Sequence, residues 1–285
     1  MHTVKAWWML LASIAFVCST QVVQAQVNGA VLVSTHPMAL LIKSAWPELT
    51  IETLMQPNQS PHDFALRPSH RQSIARSQHL IWLGQEMEPY LSKVIGSHPS
   101  SLDLSILFEE AHDEHMHADE HHHGEHDPHI WLNPEAIPAI LAKVQSQLAI
   151  KEPTEFLTAF EQWQNKAKAQ LSGQSRGFVS FHDAFHYWVD YFHLNQVAVM
   201  AIHPEQPIGT RHLVQVKQLL EQGNVACLFI EPQFKASIVE KLQRGTNVPI
   251  MNIDPIGSQF SVNEGKFLQF YDELVQKFSA CLKTK

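Results

Sequence analysis

Between Glu109 and His129 the chain reads EEAHDEHMHADEHHHGEHDPH. Eight of these residues are histidines, at 112, 115, 117, 121, 122, 123, 126 and 129, and nearly all the others are acids. The run offers no apolar face of helical or strand period, so no packed core can use it. Neutral imidazole is the commonest protein ligand for zinc-like ions, and the chemistry of such a tract is metal chemistry. Three histidines stand outside the tract or at its edge: His62 in SPHDFALRPS, His129 in DPHIWLNP and His182 in SFHDAF. Three imidazoles on one ion, with a fourth position for water or a carboxylate, is an ordinary zinc arrangement. Such a nitrogen-rich set favours the late divalent metals over manganese, which prefers oxygen.

The elements that must position these residues alternate in type. Apolar runs at 31–35, 50–55, 79–84 and 102–107 read as buried strands, with helical patterns at 37–45, 68–77 and 86–94. A helix is expected from Asn133 to about 150, and a long one, 153–172, between Pro153 and Gly173. Strands are then expected at 177–181, 196–202, 225–230 and 249–253, with helices near 184–192, 208–222, 235–244 and 264–282. Alternation of this kind predicts an α/β protein of two lobes, each a four-stranded, mostly parallel sheet flanked by helices, joined by one long rigid helix. The expected division is an N-terminal lobe 26–150 carrying the His-rich loop 109–128, a linking helix 151–174 and a C-terminal lobe 175–285. In open α/β sheets ligands gather outside the carboxyl ends of strands. His62 and His182 follow such ends, one in each lobe. A single histidine there is ordinarily a hydrogen-bonded structural residue, as His36, His70 and His79 are expected to be.

The first 25 residues have the form of a secretory signal. Lys5 precedes a short apolar run, and Val23-Gln24-Ala25 supplies small residues before a cut after Ala25. The alternative is a membrane anchor. Loss of Lys5 leaves 19 basic and 28 acidic side chains, a formal charge of −9. That balance argues against nucleic acid as partner and suits a protein that meets cations. Removing Cys18 leaves Cys227 and Cys281, which an exported protein is expected to pair; two free buried thiols are the alternative.

The segments PHDFALRPS, DPHIWLNP and FHDAF resemble the metal-binding motifs of the ZnuA family, the zinc-uptake periplasmic binding proteins of ABC transporters. The likeness continues through HPEQPIGTRHL, CLFIEPQF, NIDPIG and FSACL and covers essentially the whole mature chain. It implies that His62, His129 and His182 hold Zn²⁺. Asp254 matches an acidic position that binds the metal directly in manganese-binding relatives and lies near it in zinc members. Some zinc members carry Glu just before the first histidine; Pro61 stands there in this chain. The fourth ligand is therefore water or Asp254. The resemblance also implies a Cys227–Cys281 disulfide, a periplasmic monomer and a membrane permease as partner.

His112, His115, His117, His121, His122, His123 and His126 are read as weak, fast-exchanging metal sites beside the tight one; a solvated loop with incidental binding is the alternative. Asp183 is expected to cap the helix after His182 or to orient its ring. Competing readings are a manganese or iron carrier of the same architecture, which would want a carboxylate at position 182, and an exported zinc hydrolase. No H-E-x-x-H supports the latter. Deleting 110–127 is expected to remove weak zinc sites and leave one tight site, as read by calorimetric titration.

Overall fold

In the computed structural model, residues 29–96, 98–110, 127–201, 204, 208–234, 239–240 and 243–283 are described. The signal at 1–25, the seven loop histidines and His203 lie outside them, as does most of the helix expected at 235–244. Among the described residues no helix is long and apolar enough to cross a membrane.

The N-terminal half runs β1 (Val31–Val33), α1 (His36–Ala45), β2 (Ile51–Thr53), α2 (Pro68–Arg76), β3 (His79–Trp82), α3 (Pro89–Ile95), β4 (Ser101–Asp103), α4 (Ile106–Glu110) and α5 (Ile137–Leu148). Then α6 (Thr154–Leu171) leads to β5 (Gly177–His182), α7 (His186–Phe192), β6 (Asn195–Ala201), α8 (Thr210–Glu221), β7 (Val225–Ile230), β8 (Ile250–Asn252) and α9 (Phe267–Lys283). The strands form two four-stranded sheets, in orders β2-β1-β3-β4 and β6-β5-β7-β8, with every pairing parallel. The α/β reading with two sheets thus holds.

Two expectations differ in detail. The strand expected at 102–107 ends at Asp103, whose Oδ1 accepts the Ser105 N–H at 2.9 Å. That Asx-turn stops the ladder. Leu104, Leu107 and Phe108 are then buried at helical spacing, and Glu109 and Glu110 end α4 instead of opening the loop. The helix expected from Asn133 starts only at Ile137. A 3-10 turn, Ile130–Leu132, comes first, and Asn133 Oδ1 accepts the Glu135 N–H.

Strand alternation divides the core. Val31, Val33 and Ile81 face one large cluster, while Leu32, Leu80 and Trp82 face a smaller one with α2 and α3. In the second sheet Phe178, Cys227 and Phe229 join the same large cluster, and Val179, Phe181 and Leu228 face outward toward Val216 and Leu220 of α8. The inner faces of both sheets therefore share one apolar core. The helix α6 lies in it: Phe156, Phe160, Trp163, Ala167 and Leu171 recur at i, i+4, i+7, i+11 and i+15 and are buried. Trp163 meets Tyr271 of α9 with ring centroids 4.8 Å apart.

The C-terminal chain also returns to the first lobe. Phe267 N donates to Ser44 Oγ of α1 at 2.9 Å, and His36 Nε2 bonds the Gly257 and Phe260 carbonyls at 3.2 and 3.0 Å. Gly257 has φ +65°, and a Cβ there would lie 2.9 Å from the Phe270 ring, so glycine alone fits this crossing. Cys227 on β7 and Cys281 on α9 form a disulfide across 54 residues. Loop-closure entropy for that span corresponds to about 4 kcal/mol.

At the carboxyl ends of β1 and β3, Glu88 accepts from Ser34 Oγ at 2.8 Å and Leu83 N at 2.7 Å and is fully buried. Burial raises its pKa from an ordinary 4.5 to about 7, against hydrogen bonding from Leu83, Ser34 and Tyr90. A carboxyl raised on folding contributes stability that is fully present below about pH 4.5 and is lost as pH rises through about 7. Chemical denaturation across that window should show the wild type losing on the order of 3 kcal/mol relative to Glu88→Gln. Parallel curves for the two proteins would show that Glu88 ionises freely in the folded state.

Candidate metal centre

Each of the three histidines is delivered by a different kind of local structure. The chain leaves β2 and forms a 3-10 turn, Pro61–Asp63, whose Ser60 side chain accepts the His62 N–H at 3.3 Å. Tyr90 of α3 fixes that turn from beneath by donating to the Pro61 carbonyl at 3.1 Å. Burial raises the Tyr90 pKa, so it remains a donor.

His129 stands at the entry of the Ile130–Leu132 turn and is 4% exposed. The turn is anchored across the lobes: Trp131 Nε1 donates to the Pro255 carbonyl at 2.7 Å, and Tyr271 Oη donates to the Trp131 carbonyl. His182 is the last residue of β5, 2% exposed, next to the strand β7 across the switch point of the second sheet.

The rings converge. Centroid separations are 5.2 Å for His62–His129, 4.8 Å for His62–His182 and 5.0 Å for His129–His182. One nitrogen from each lies within 4.8 Å of the others, and His62 Nε2 is 3.1 Å from His129 Nε2. Zinc–nitrogen bonds of about 2.0–2.1 Å at tetrahedral angles place their nitrogens about 3.3 Å apart, so small side-chain adjustments bring all three onto one ion. His182 Nε2 is buried and has no hydrogen-bond partner among the described residues. An orphaned buried acceptor costs free energy unless something binds it. A crevice lined by Pro61, His62, His129, His182, Glu231 and Gln233 opens beside these atoms.

Two carboxylates stand behind the rings. Asp127 Oδ1 accepts from His129 Nδ1 at 2.6 Å and from His129 N at 2.9 Å. Tyr187 of α7 donates to the Asp127 carbonyl at 2.8 Å, which ties this segment to the other lobe. Glu231, just past β7 and 4% exposed, lies 3.2 Å from His182 Nδ1. With Nδ1–H given to a carboxylate, each ring directs Nε2 toward the crevice. Burial disfavours charge on His182, but the charge and hydrogen bond of Glu231, with Asp183 and Asp127 adding, together raise its pKa.

Sequence reasoning missed both carboxylates. Asp127 was grouped with the His-rich loop, yet it is ordered onto His129. Glu231 begins EPQF immediately after a strand, the same placement that drew attention to His182, and that rule could have found it.

Asp254 is differently engaged. Its Oδ1 accepts from Gln233 Nε2 and Ile256 N at 3.0 and 3.1 Å, and its Oδ2 from Ser258 N and Oγ at 2.7 and 2.6 Å. It does not belong to the group of converging ligand atoms. Asp183 accepts from Gln196 Nε2 at 3.3 Å, and α7 begins after Phe185 with no side-chain cap, so the expected cap is absent.

The residues Gly173-Gln174-Ser175-Arg176-Gly177 have the G-x-S-x-G spacing of a hydrolase nucleophile elbow, which corrects the expectation that no such spacing occurs in the chain. That elbow joins a strand to a following helix. Here the segment joins the end of α6 to β5, and Ser175 is exposed. The reversed order removes the resemblance.

Comparison with known proteins agrees with this architecture. Residues 31–281 match the ZnuA family model, described as zinc-uptake complex component A, periplasmic. The high-affinity zinc uptake system protein ZnuA of Yersinia pestis is 30% identical over 301 residues, which cover 90% of this chain and 92% of that protein. Its namesake in Haemophilus ducreyi is 27% identical, covering 90% and 94% of the two chains. A crystal structure of ZnuA superposes with a TM-score of 0.70 at 17% identity, over 89% of this chain and 99% of that one, and so shares the fold. With a family match spanning nearly all of the described fold, this chain belongs to the ZnuA family of periplasmic zinc-uptake proteins.

Proposed function

We propose that this protein captures Zn²⁺ in the periplasm and delivers it to the membrane permease of an ABC importer, acting as a monomeric carrier and not as an enzyme. The observation that carries the reading is the convergence of His62, His129 and His182 in a crevice between the lobes, with one ligand nitrogen of each inside a 4.8 Å set. Family membership supplies the periplasmic setting and the transporter partner. Export requires removal of a leader, proposed to be residues 1–25.

Water completes the coordination in this proposal. Pro61 offers no ligand, and all four hydrogen bonds to the Asp254 carboxylate would compete with a metal. Glu231 is already turned to His182 Nδ1. A manganese or iron carrier would need oxygen donors, and the convergent group is all nitrogen. The His-rich loop is proposed to collect zinc weakly and pass it to the crevice.

His→Ala at 62, 129 or 182 should each weaken tight zinc binding by about 100-fold or more, since a structural-type zinc site draws ~10–16 kcal/mol from about four ligands. Calorimetric titration reads this, and unchanged binding by His182→Ala would refute the assignment. Asp254→Asn should leave the tight zinc in place. Because Asp127 backs His129, the expectation that deleting 110–127 leaves the tight site intact is corrected: deleting 111–126 should abolish only the weak sites, and extending the deletion through 127 should weaken the tight site as well. Purified protein should show no chelator-sensitive turnover of ester, amide or phosphate substrates.

A further inference from the structure

We infer that Asp127 and Glu231 are the residues that make the crevice selective for a divalent over a monovalent metal ion. The inference rests on the three-histidine reading above and deepens it. His129 and His182 each have a carboxylate against Nδ1, at 2.6 and 3.2 Å. Three neutral imidazoles would bring no charge to a cargo ion and so would not by charge favour Zn²⁺ over Cu⁺, copper being among the metals imidazole binds. The two carboxylates against the rings supply negative charge that a dication engages more strongly than a monocation does.

The environment keeps those charges effective. The Glu231 side chain is 5% exposed and that of Asp127 15%. Asp127 Oδ2 is buried with no hydrogen-bond partner among the described residues. Among those residues, each carboxylate forms an ion pair with its histidine and none with Lys or Arg. The carboxylates come from different lobes, Asp127 ahead of the Ile130–Leu132 turn and Glu231 past β7. The pair is complete only where the lobes meet.

Charge and orientation are separable at these positions. Both carboxylates act as acceptors toward Nδ1–H, and an amide oxygen can replace that bond while removing the charge. At an effective dielectric near 20 and a carboxylate-to-ion separation of about 6 Å, Coulomb's law favours a dication over a monocation by roughly 100-fold per carboxylate.

The test uses the full mature chain. Glu231→Gln and Asp127→Asn are titrated with Zn²⁺ and, under reducing anaerobic conditions, with Cu⁺, both by competition against chelators of known affinity. Co²⁺ is added separately, and its visible absorption reports coordination geometry. Each variant should lower the ratio of Zn²⁺ to Cu⁺ affinity by about tenfold or more, keep the Co²⁺ bands of the wild type, and add to the other in the double variant. The inference is overturned if the two affinities fall in parallel or if neither changes. Because the residues lie in different lobes, Asp127→Asn reads the same ratio should Glu231→Gln fail to fold. Tight zinc binding that survives His182→Ala would instead refute the site assignment, a failure recognisable by itself.

Discussion

A single ion of this kind tolerates little error in its ligands. Zinc–nitrogen bonds vary by about 0.2 Å, yet the imidazoles here come from a loop after β2, a turn before α5 and the end of β5. Two of these belong to one sheet's lobe and the third to the other's. The relative placement of the lobes is therefore part of the proposed binding site. That placement is fixed by the core the lobes share, in which the aromatic face of α6 packs against α9 and the inner faces of both sheets close over them. Large apolar interfaces between lobes resist relative motion far more than the polar contacts of hinged domains do. Trp131 on Pro255 adds a directional bond at the crevice, and His36 on Gly257 and Tyr187 on Asp127 add others between the lobes.

Electrostatics set the second requirement. A buried imidazole must be neutral to bind a metal but must not be so weak a base that it binds poorly. Burial alone would depress His182, and Glu231 reverses the direction. The same carboxylate thus orients the ring and strengthens its basicity, and under the proposed assignment it would also supply charge that the cargo can cancel. Proton and metal compete for one nitrogen, so the feature that tightens the metal also gives a proton somewhere to go.

Much of this was legible in the residues, for a physical reason. Parallel strands buried on both faces leave apolar runs too strong to miss, and all eight strands were located, with errors confined to their ends. His182 was legible because it ends a buried strand, whereas His62 stands on a 3-10 turn nine residues past β2 and was legible only through the motif around it. The second layer was hidden because it is made by contact across sequence: Glu231 is 49 residues from His182. Asp127 is only two residues from His129, but it was camouflaged by the run of acids and histidines that precedes it. Where Asp103 turns the chain, local hydrogen bonding outweighed a period-2 pattern that extended to residue 107.

The two sheets have the same strand order, and the comparison explains why one lobe supplies a ligand at its switch point and the other does not. In the second sheet the crevice between β5 and β7 holds His182 and Glu231, both polar and both facing the cargo side. In the first, the corresponding gap between β1 and β3 is plugged by Glu88, bonded to Ser34 and to Leu83 N and fully buried. A lobe whose switch point is sealed must offer its ligands from elsewhere, and it does so from the loop after β2 and the turn before α5. The seal also bears on the site at one remove. Glu88 stands at the start of α3, and α3 carries Tyr90, whose hydroxyl supports the carbonyl of Pro61 next to His62. What one lobe does with metal-binding chemistry, the other does with a buried acid that organises the scaffold beneath its ligand.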